Sequence, residues 1–331
     1  MRCTCTDIHT HIVPFQFPRY LGDNASVPWP SMTEAEPCHR NVVIQGKNYR
    51  TVVDGCWSTS RRLADMGDMQ VDLQALSPMP ELLSYWLPLK DAGVLIRFMN
   101  DHVAEMVAEA PDRFVGLGIV PLQDVDAAIR ELSYAMKTLK FKGVEIASHV
   151  NGTSIGDARF EPFFAAALEM DAAIFVHALR PTDKARMVGG FTEQAVCFPN
   201  DIAMAAASMI TGGLGARYPG LRIAFSHGAG SLPIMLPRLV QCWHFRPGLK
   251  ELLTESPDVT ASRFFYDCLH YDPAATRFLI EKVGASQVMV GTDYPFSIHD
   301  RRPIESLEKL GLDPATMQAI TKDNAARFLG L

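Results

Sequence analysis

Residues 6–14 read Thr-Asp-Ile-His-Thr-His-Ile-Val-Pro, so two imidazoles, His9 and His11, stand two positions apart. In an extended strand the side chains at i and i+2 point to the same side. His9 and His11 then form a pair of ring-nitrogen donors, half of a site for a divalent transition metal. A His-x-His pair by itself also fits a polar strand end, so further donors must come from elsewhere. Three candidates occupy comparable positions. His177 closes Ala-Ile-Phe-Val-His, His227 closes Arg-Ile-Ala-Phe-Ser-His, and Asp293 follows Gln-Val-Met-Val-Gly-Thr. Each alone has a plain structural explanation as core histidine, loop residue or cap. Together they put five donors or acid–base groups at matching ends of four apolar runs. Three imidazoles and one carboxylate suffice for a mononuclear site with positions left for water or substrate. Zinc is the default ion, with manganese the alternative, and a bound zinc lowers the pKa of water to about 7. His227 is either a further ligand or a general acid/base beside the ion. The second role is preferred.

Such a convergence needs a scaffold that aligns strand ends. About eight short apolar runs recur along the chain: the one around His9, then those from Val71, Phe114, Gly143, Ala173, Arg222, Arg263 and Gln287. Between them lie amphipathic stretches such as residues 126–139 and 273–284, with apolar side chains at helical spacing. Strand and helix alternating eightfold predict a (β/α)8 barrel, whose catalytic groups gather at the C-terminal ends of its strands. Residues 14–69 break the pattern with many Pro, Gly and Asn residues. They hold two β-like runs joined at Gly46-Lys47-Asn48, read as an insertion after the first strand that covers the barrel mouth.

Composition sets the class. The chain has 331 residues, 48% hydrophobic and 21% charged, enough for one large barrel domain over residues 1–331. A net charge of -6 argues against nonspecific nucleic-acid or membrane partners, so an anionic substrate would need local arginines. Seven cysteines without a Cys-x-x-Cys pair, with Cys3 and Cys5 too close for an ordinary bridge, read as a reducing cytoplasm. No run approaches the roughly 18 apolar residues of a spanning helix, and the first residues lack the apolar core of a secretion signal.

The segments around His9, His177, His227 and Asp293, with the closing Asn-Ala-Ala-Arg-Phe-Leu-Gly, resemble the amidohydrolase superfamily. More narrowly, they are similar to its metal-dependent decarboxylase branch, that of 2-amino-3-carboxymuconate 6-semialdehyde decarboxylase. The resemblance implies a distorted TIM barrel, one divalent metal and nonoxidative loss of CO2 from a small unsaturated or aromatic carboxylate. It places the metal ligands on His9, His11, His177 and Asp293 and the acid/base on His227, with Asp293 able to share the proton relay. It further implies that Arg50 binds the substrate carboxylate, that Arg238 reaches the site of a partner subunit in a homodimer, and that Phe296 forms a pocket wall, for which the alternative is an apolar packing role.

Two departures bear on the substrate. Ala178-Leu179-Arg180 stands where the branch has Pro-Trp-Asp, and Ser297-Ile298-His299 stands where it has Pro-Leu-Gly. Arg180 then either adds positive charge for a second anionic group or forms a structural ion pair. Glu145 lies in the fourth strand, where two-metal relatives can carry a bridging lysine, while Lys140 and Lys142 precede it. One metal is therefore expected. The rival chemistry for the same site is a hydrolase or hydratase.

Overall fold

The run containing His9 and His11 forms β1 (Thr6–Ile12), in a computed structural model that describes residues 5–24, 26–189 and 193–331; Cys3 lies outside the described residues. The chain then makes β2 (Ser31–Glu34), β3 (His39–Ile44) and β4 (Lys47–Val53), followed by β5 (Leu73–Pro78), β6 (Phe114–Ile119) and β7 (Gly143–Ala147). After a short ribbon, β8 (His149–Val150) and β9 (Thr153–Ser154), come β10 (Ala173–His177), β11 (Ile223–Phe225), β12 (Phe265–Asp267) and β13 (Val288–Met289). All eight expected runs are strands of one parallel sheet in the order β1-β5-β6-β7-β10-β11-β12-β13. Bridges Asp7–Val290 and Thr10–Tyr294 return the last strand region to the first. The result is a (β/α)8 barrel, as expected.

Helices lie between the strands: α1 (Thr59–Met69), α2 (Leu89–Glu109), α3 (Val125–Lys137), α4 (Glu161–Glu169) and α5 (Phe198–Thr211) among them. Their starts follow local chemistry. Ser58 accepts from Arg61 N at the start of α1 and Asp124 from Ala127 N at the start of α3, each satisfying an amide that has no partner within its helix. The helix Pro273–Val283 is capped in the same way by Asp272.

Two apolar layers hold the barrel. The larger packs the helices onto the sheet. The smaller fills the interior, where Ile8, Ala75, Leu117, Phe175 and Met289 meet Phe328 and its neighbours from the last helix, Asn324–Leu329. The closing Ala-Ala-Arg-Phe-Leu segment thus supplies part of the interior plug, and Asn324 fixes it by donating to the Ala285 and Val288 carbonyls at 2.8 Å. At Gly143 a Cβ would overlap the Ala173 carbonyl, so β7 and β10 approach this closely only because glycine stands there.

Strand β1 is not a plain extended ribbon. Its register against β5 shifts between Asp7 and Thr10, a bulge in which two residues oppose one. Ile8 joins the interior plug while His9 sits above it, its ring 5.0 Å from that of Phe175. Within the 14–69 span, β2, β3 and β4 form an antiparallel sheet. Its hairpin turn is Gln45-Gly46 rather than Gly46-Lys47-Asn48. Ile44 pairs with Lys47, and both turn residues have positive φ (53° and 70°), the two-residue geometry that matches strand twist.

Candidate metal centre

His9 and His11 lie in the C-terminal half of β1, His177 ends β10, and Asp293 follows β13. The side chains meet: one donor atom from each of the four lies within 4.8 Å of the others. His9 Nε2 and His11 Nε2 are 3.2 Å apart, and Asp293 Oδ1 is 3.2 Å from His11 Nε2 and 3.6 Å from His9 Nε2. All four residues are buried.

The outward nitrogens are set by different partners. His9 Nδ1 lies 2.7 Å from Asp267 Oδ2, and His177 Nδ1 lies 2.9 Å from the Ala178 carbonyl oxygen. A carbonyl or carboxylate oxygen at Nδ1 selects the tautomer that presents the Nε2 lone pair inward. His177 Nε2 and Asp293 Oδ1 are buried without a directed hydrogen bond. Orphaned acceptors of that kind are costly unless something absent from the chain satisfies them. A divalent cation does so, and this donor set of three nitrogens and one carboxylate oxygen fits one.

Electrostatics agree with the donor role at His11, His177 and Asp293, whereas His9 gives up its Nε2 proton only to a bound cation. Burial, reinforced by neighbouring imidazoles, drives His177 well below its ordinary range, and burial holds His11 and His227 down near 4. These rings stay neutral at neutral pH and keep their lone pairs. Burial also opposes charge on His9, but the Asp267 carboxylate outweighs it and raises His9 to about 9. Asp293 is held below the carboxylate range because His11 and His9 overcome the burial penalty.

His227 stands beside the cluster, its ring centre 5.3 Å from that of His9 and 5.1 Å from that of His177, with Nδ1 3.0 Å from Ser226 Oγ. Both His227 (φ 53°) and Asp293 (φ 65°) occupy the left-handed region that side-chain-bearing residues seldom adopt. Glu145 stays outside the four-residue group. Its Oε2 accepts from Ser77 Oγ at 2.5 Å and lies 3.8 Å from His11 Nδ1, and burial raises it to about 8.

The cluster opens into a cavity of about 360 Å³ lined by His177, His227 and Asp293 together with Arg50, Arg180 and Phe296. Phe296 stacks on His11 with 5.1 Å between ring centres, and the Arg50 guanidinium lies 4.2 Å above Phe296. Arg50 comes from β4, so the inserted sheet contributes to the cavity wall. Arg180 is engaged: its Nη2 is 2.6 Å from Glu81 Oε1 and it stacks on Trp86 at 3.2 Å. Arg238 is exposed on the helix Leu232–Phe245 and is not among the residues lining this cavity.

Two site residues escaped the sequence reading. Asp267 ends the seventh barrel strand at the position His177 holds in the fifth, and that placement was its signal. Arg62 is wholly buried, donates to the His11 carbonyl at 2.5 Å and to Gln74 Oε1 at 3.0 Å, and carries no sequence cue beyond its helix.

The chain is 33% identical over 327 residues to the 2-amino-3-carboxymuconate-6-semialdehyde decarboxylase of Dictyostelium discoideum, which covers 98% of this chain and 91% of that one. Among solved structures it superposes on 5-carboxyvanillate decarboxylase from Sphingomonas paucimobilis with a TM-score of 0.81 at 22% identity, covering 99% of both chains. It superposes on 5-carboxyvanillate decarboxylase from Novosphingobium aromaticivorans, complexed with manganese and 4-hydroxy-3-methoxy-5-nitrobenzoic acid, with a TM-score of 0.75 at 25% identity over 84% of this chain and 82% of that chain. The family described as Amidohydrolase matches residues 6–331, and the chain belongs to that family.

Proposed function

We propose that this protein is a metal-dependent decarboxylase of a small unsaturated or aromatic carboxylate. The observation that carries the reading is the meeting, in one cavity, of a four-donor cluster, an adjacent imidazole and an arginine. The decarboxylase names of the similar proteins support it.

Decarboxylation exchanges a carbon–carboxylate bond for a carbon–hydrogen bond, so the reacting carbon must gain a proton as CO2 leaves. His9, His11, His177 and Asp293 would hold the cation, which when bound supplies Lewis acidity toward substrate oxygens. Arg50 holds a carboxylate by a two-pronged, charge-assisted contact and orients the scissile bond. The Phe296 ring beneath it offers an unsaturated substrate a flat wall. His227 has Nδ1 engaged by Ser226, which leaves Nε2 to exchange the proton that ends on the substrate carbon. Asp293 shares that relay. The Arg180–Glu81 pair supports a wall that is neutral overall at this side of the cavity.

The nitrogen-rich donor set favours zinc over manganese. Met204 on α5 and Ile234 near Arg238 are exposed apolar side chains, which supports a homodimer in which Arg238 serves the partner's cavity. The described thiols Cys38, Cys56, Cys197, Cys242 and Cys268 are unbridged, in keeping with a cytoplasmic location. No helix is long and apolar enough to cross a membrane among the described residues.

The test is to load the protein with zinc or manganese and follow CO2 over a panel of muconate semialdehydes and hydroxybenzoates. Release of one CO2 per substrate with no water added is expected. Consumption with water added and no CO2 would assign the site to a hydrolase or hydratase.

A further inference from the structure

Asp267 is fully buried at the end of β12, and its two oxygens are divided between the two halves of the site. Oδ2 lies 2.7 Å from His9 Nδ1, on the far side of that ring from the metal-facing Nε2. Oδ1 accepts from Gly228 N at 2.8 Å and from Leu269 N at 3.2 Å. Gly228 follows His227 in a turn where four consecutive residues, His227 to Gly230, have positive φ of 53°, 58°, 56° and 53°. Two of the four, His227 and Ala229, are not glycine, and a backbone so disposed persists only where its surroundings over-determine it. From the other side the His270 ring packs so closely on Gly228 that a Cβ there would overlap the imidazole. The Gly228 amide is therefore fixed by Asp267 on one side and boxed by His270 on the other.

Resting on the reading of the site given above, we propose that Asp267 is a shared positioning residue. It selects the metal-binding tautomer of His9 and, through the Gly228 amide, fixes the turn that presents His227, so one carboxylate registers a ligand against the acid/base group. The chemistry of the side chain makes the two roles separable. A carboxylate only accepts, so it receives a hydrogen bond from His9 Nδ1–H, keeps the neutral ring's proton on that nitrogen and directs the lone pair to Nε2. An asparagine can still accept from the Gly228 amide through its oxygen, but its NH2 group then faces His9 Nδ1. Two donors cannot face each other, so the ring proton moves to Nε2, where it obstructs coordination.

The test compares Asp267→Asn with Asp267→Ala in the full chain. It uses zinc affinity by chelator competition, the visible spectrum of the cobalt-loaded protein, and hydrogen exchange at the Gly228 amide. For Asp267→Asn, zinc affinity is expected to fall about 10- to 100-fold, as for loss of a partner behind a ligand histidine, with an altered cobalt spectrum. Gly228 exchange should stay within about threefold of wild type, because its acceptor survives. Asp267→Ala should lose zinc affinity and also speed Gly228 exchange about tenfold or more, the cost of one lost charge-assisted bond. Zinc affinity within about threefold of wild type in Asp267→Asn would overturn the tautomer role. Unchanged Gly228 exchange in Asp267→Ala would overturn the shared role. Should Asp267→Ala not fold, Asp267→Leu, similar in volume and without an acceptor for the Gly228 amide, tests the turn, while Asp267→Asn still decides the tautomer role. No readout needs a substrate, so a failure of the decarboxylase reading and a failure of this proposal are told apart.

Discussion

His177 and His227 have ring centres only 5.1 Å apart, yet truncation should affect them differently. His177 aims an unpartnered Nε2 into the four-donor cluster, whereas His227 stands beside it. His177→Ala is expected to lose bound metal and turnover together. His227→Ala should keep a full metal complement and lose kcat by about 100-fold or more, the usual worth of a placed acid/base. Metal analysis of the two purified variants, set against their rates, decides the assignment. Glu145 gives a second test at this scale. Burial raises its carboxyl from 4.5 to about 8, so the folded protein binds more protons than the unfolded chain between those values. Stability from this group is full below the lower value and is lost as pH rises through the upper one. His11, His177 and His227, held below their ordinary 6.5, act with the opposite sign up to that value, so the midpoint of urea unfolding of EDTA-treated protein should fall between pH 6.5 and about 8. Asp7, raised to about 7, and His9, raised to about 9, act with the same sign as Glu145. Glu145→Gln leaves both in place, so a shallower slope in that variant isolates Glu145, and an unchanged slope would refute its raised pKa.

The elements differ in how plainly their sequences announce them. The barrel strands were legible because strands buried on both faces read as short β-branched and apolar runs, and the clustering of His9, His11, His177 and Asp293 because barrels gather strand ends at one rim. The inserted sheet was only half legible. Its hairpin was visible, but β2, Ser-Met-Thr-Glu, is almost wholly exposed and lacks the alternation that marks a half-buried strand. Asp267 was missed for a related reason: a lone acid at a strand end looks like a loop residue until the ring it supports is placed beside it. The insert matters chemically because β4 carries Arg50 over Phe296, which in turn stacks on His11. Arg50→Ala is expected to raise KM for a carboxylate substrate, and Ki for benzoate, roughly tenfold to a hundredfold, the usual loss for a charge-assisted contact. Metal content should not change. A Ki equal to wild type would show that the insert does not hold the anion.

At the scale of the molecule, the cavity gathers side chains from residue 49 to residue 298 of one chain, yet Arg238 stands outside it. The helix Leu232–Phe245 that carries it leaves Arg238 and Ile234 facing solvent. A single chain has no contact through which Arg238 could meet a substrate in its own cavity, so any role in binding requires a second copy of the chain across that surface. The two possibilities separate in a mixing experiment. Arg238→Ala and His227→Ala should each be nearly inactive as homodimers, the first for want of the partner's arginine and the second for want of its own acid/base. In a heterodimer, the subunit that keeps His227 receives Arg238 from the His227→Ala subunit, which rebuilds one complete site of the two. Random reassortment makes half of the dimers mixed, so an equal mixture is expected to recover about a quarter of wild-type activity, by the symmetry of a two-fold interface. Chains that exchange subunits but recover nothing would place Arg238 outside the reaction, and an Arg238→Ala protein active by itself would do the same.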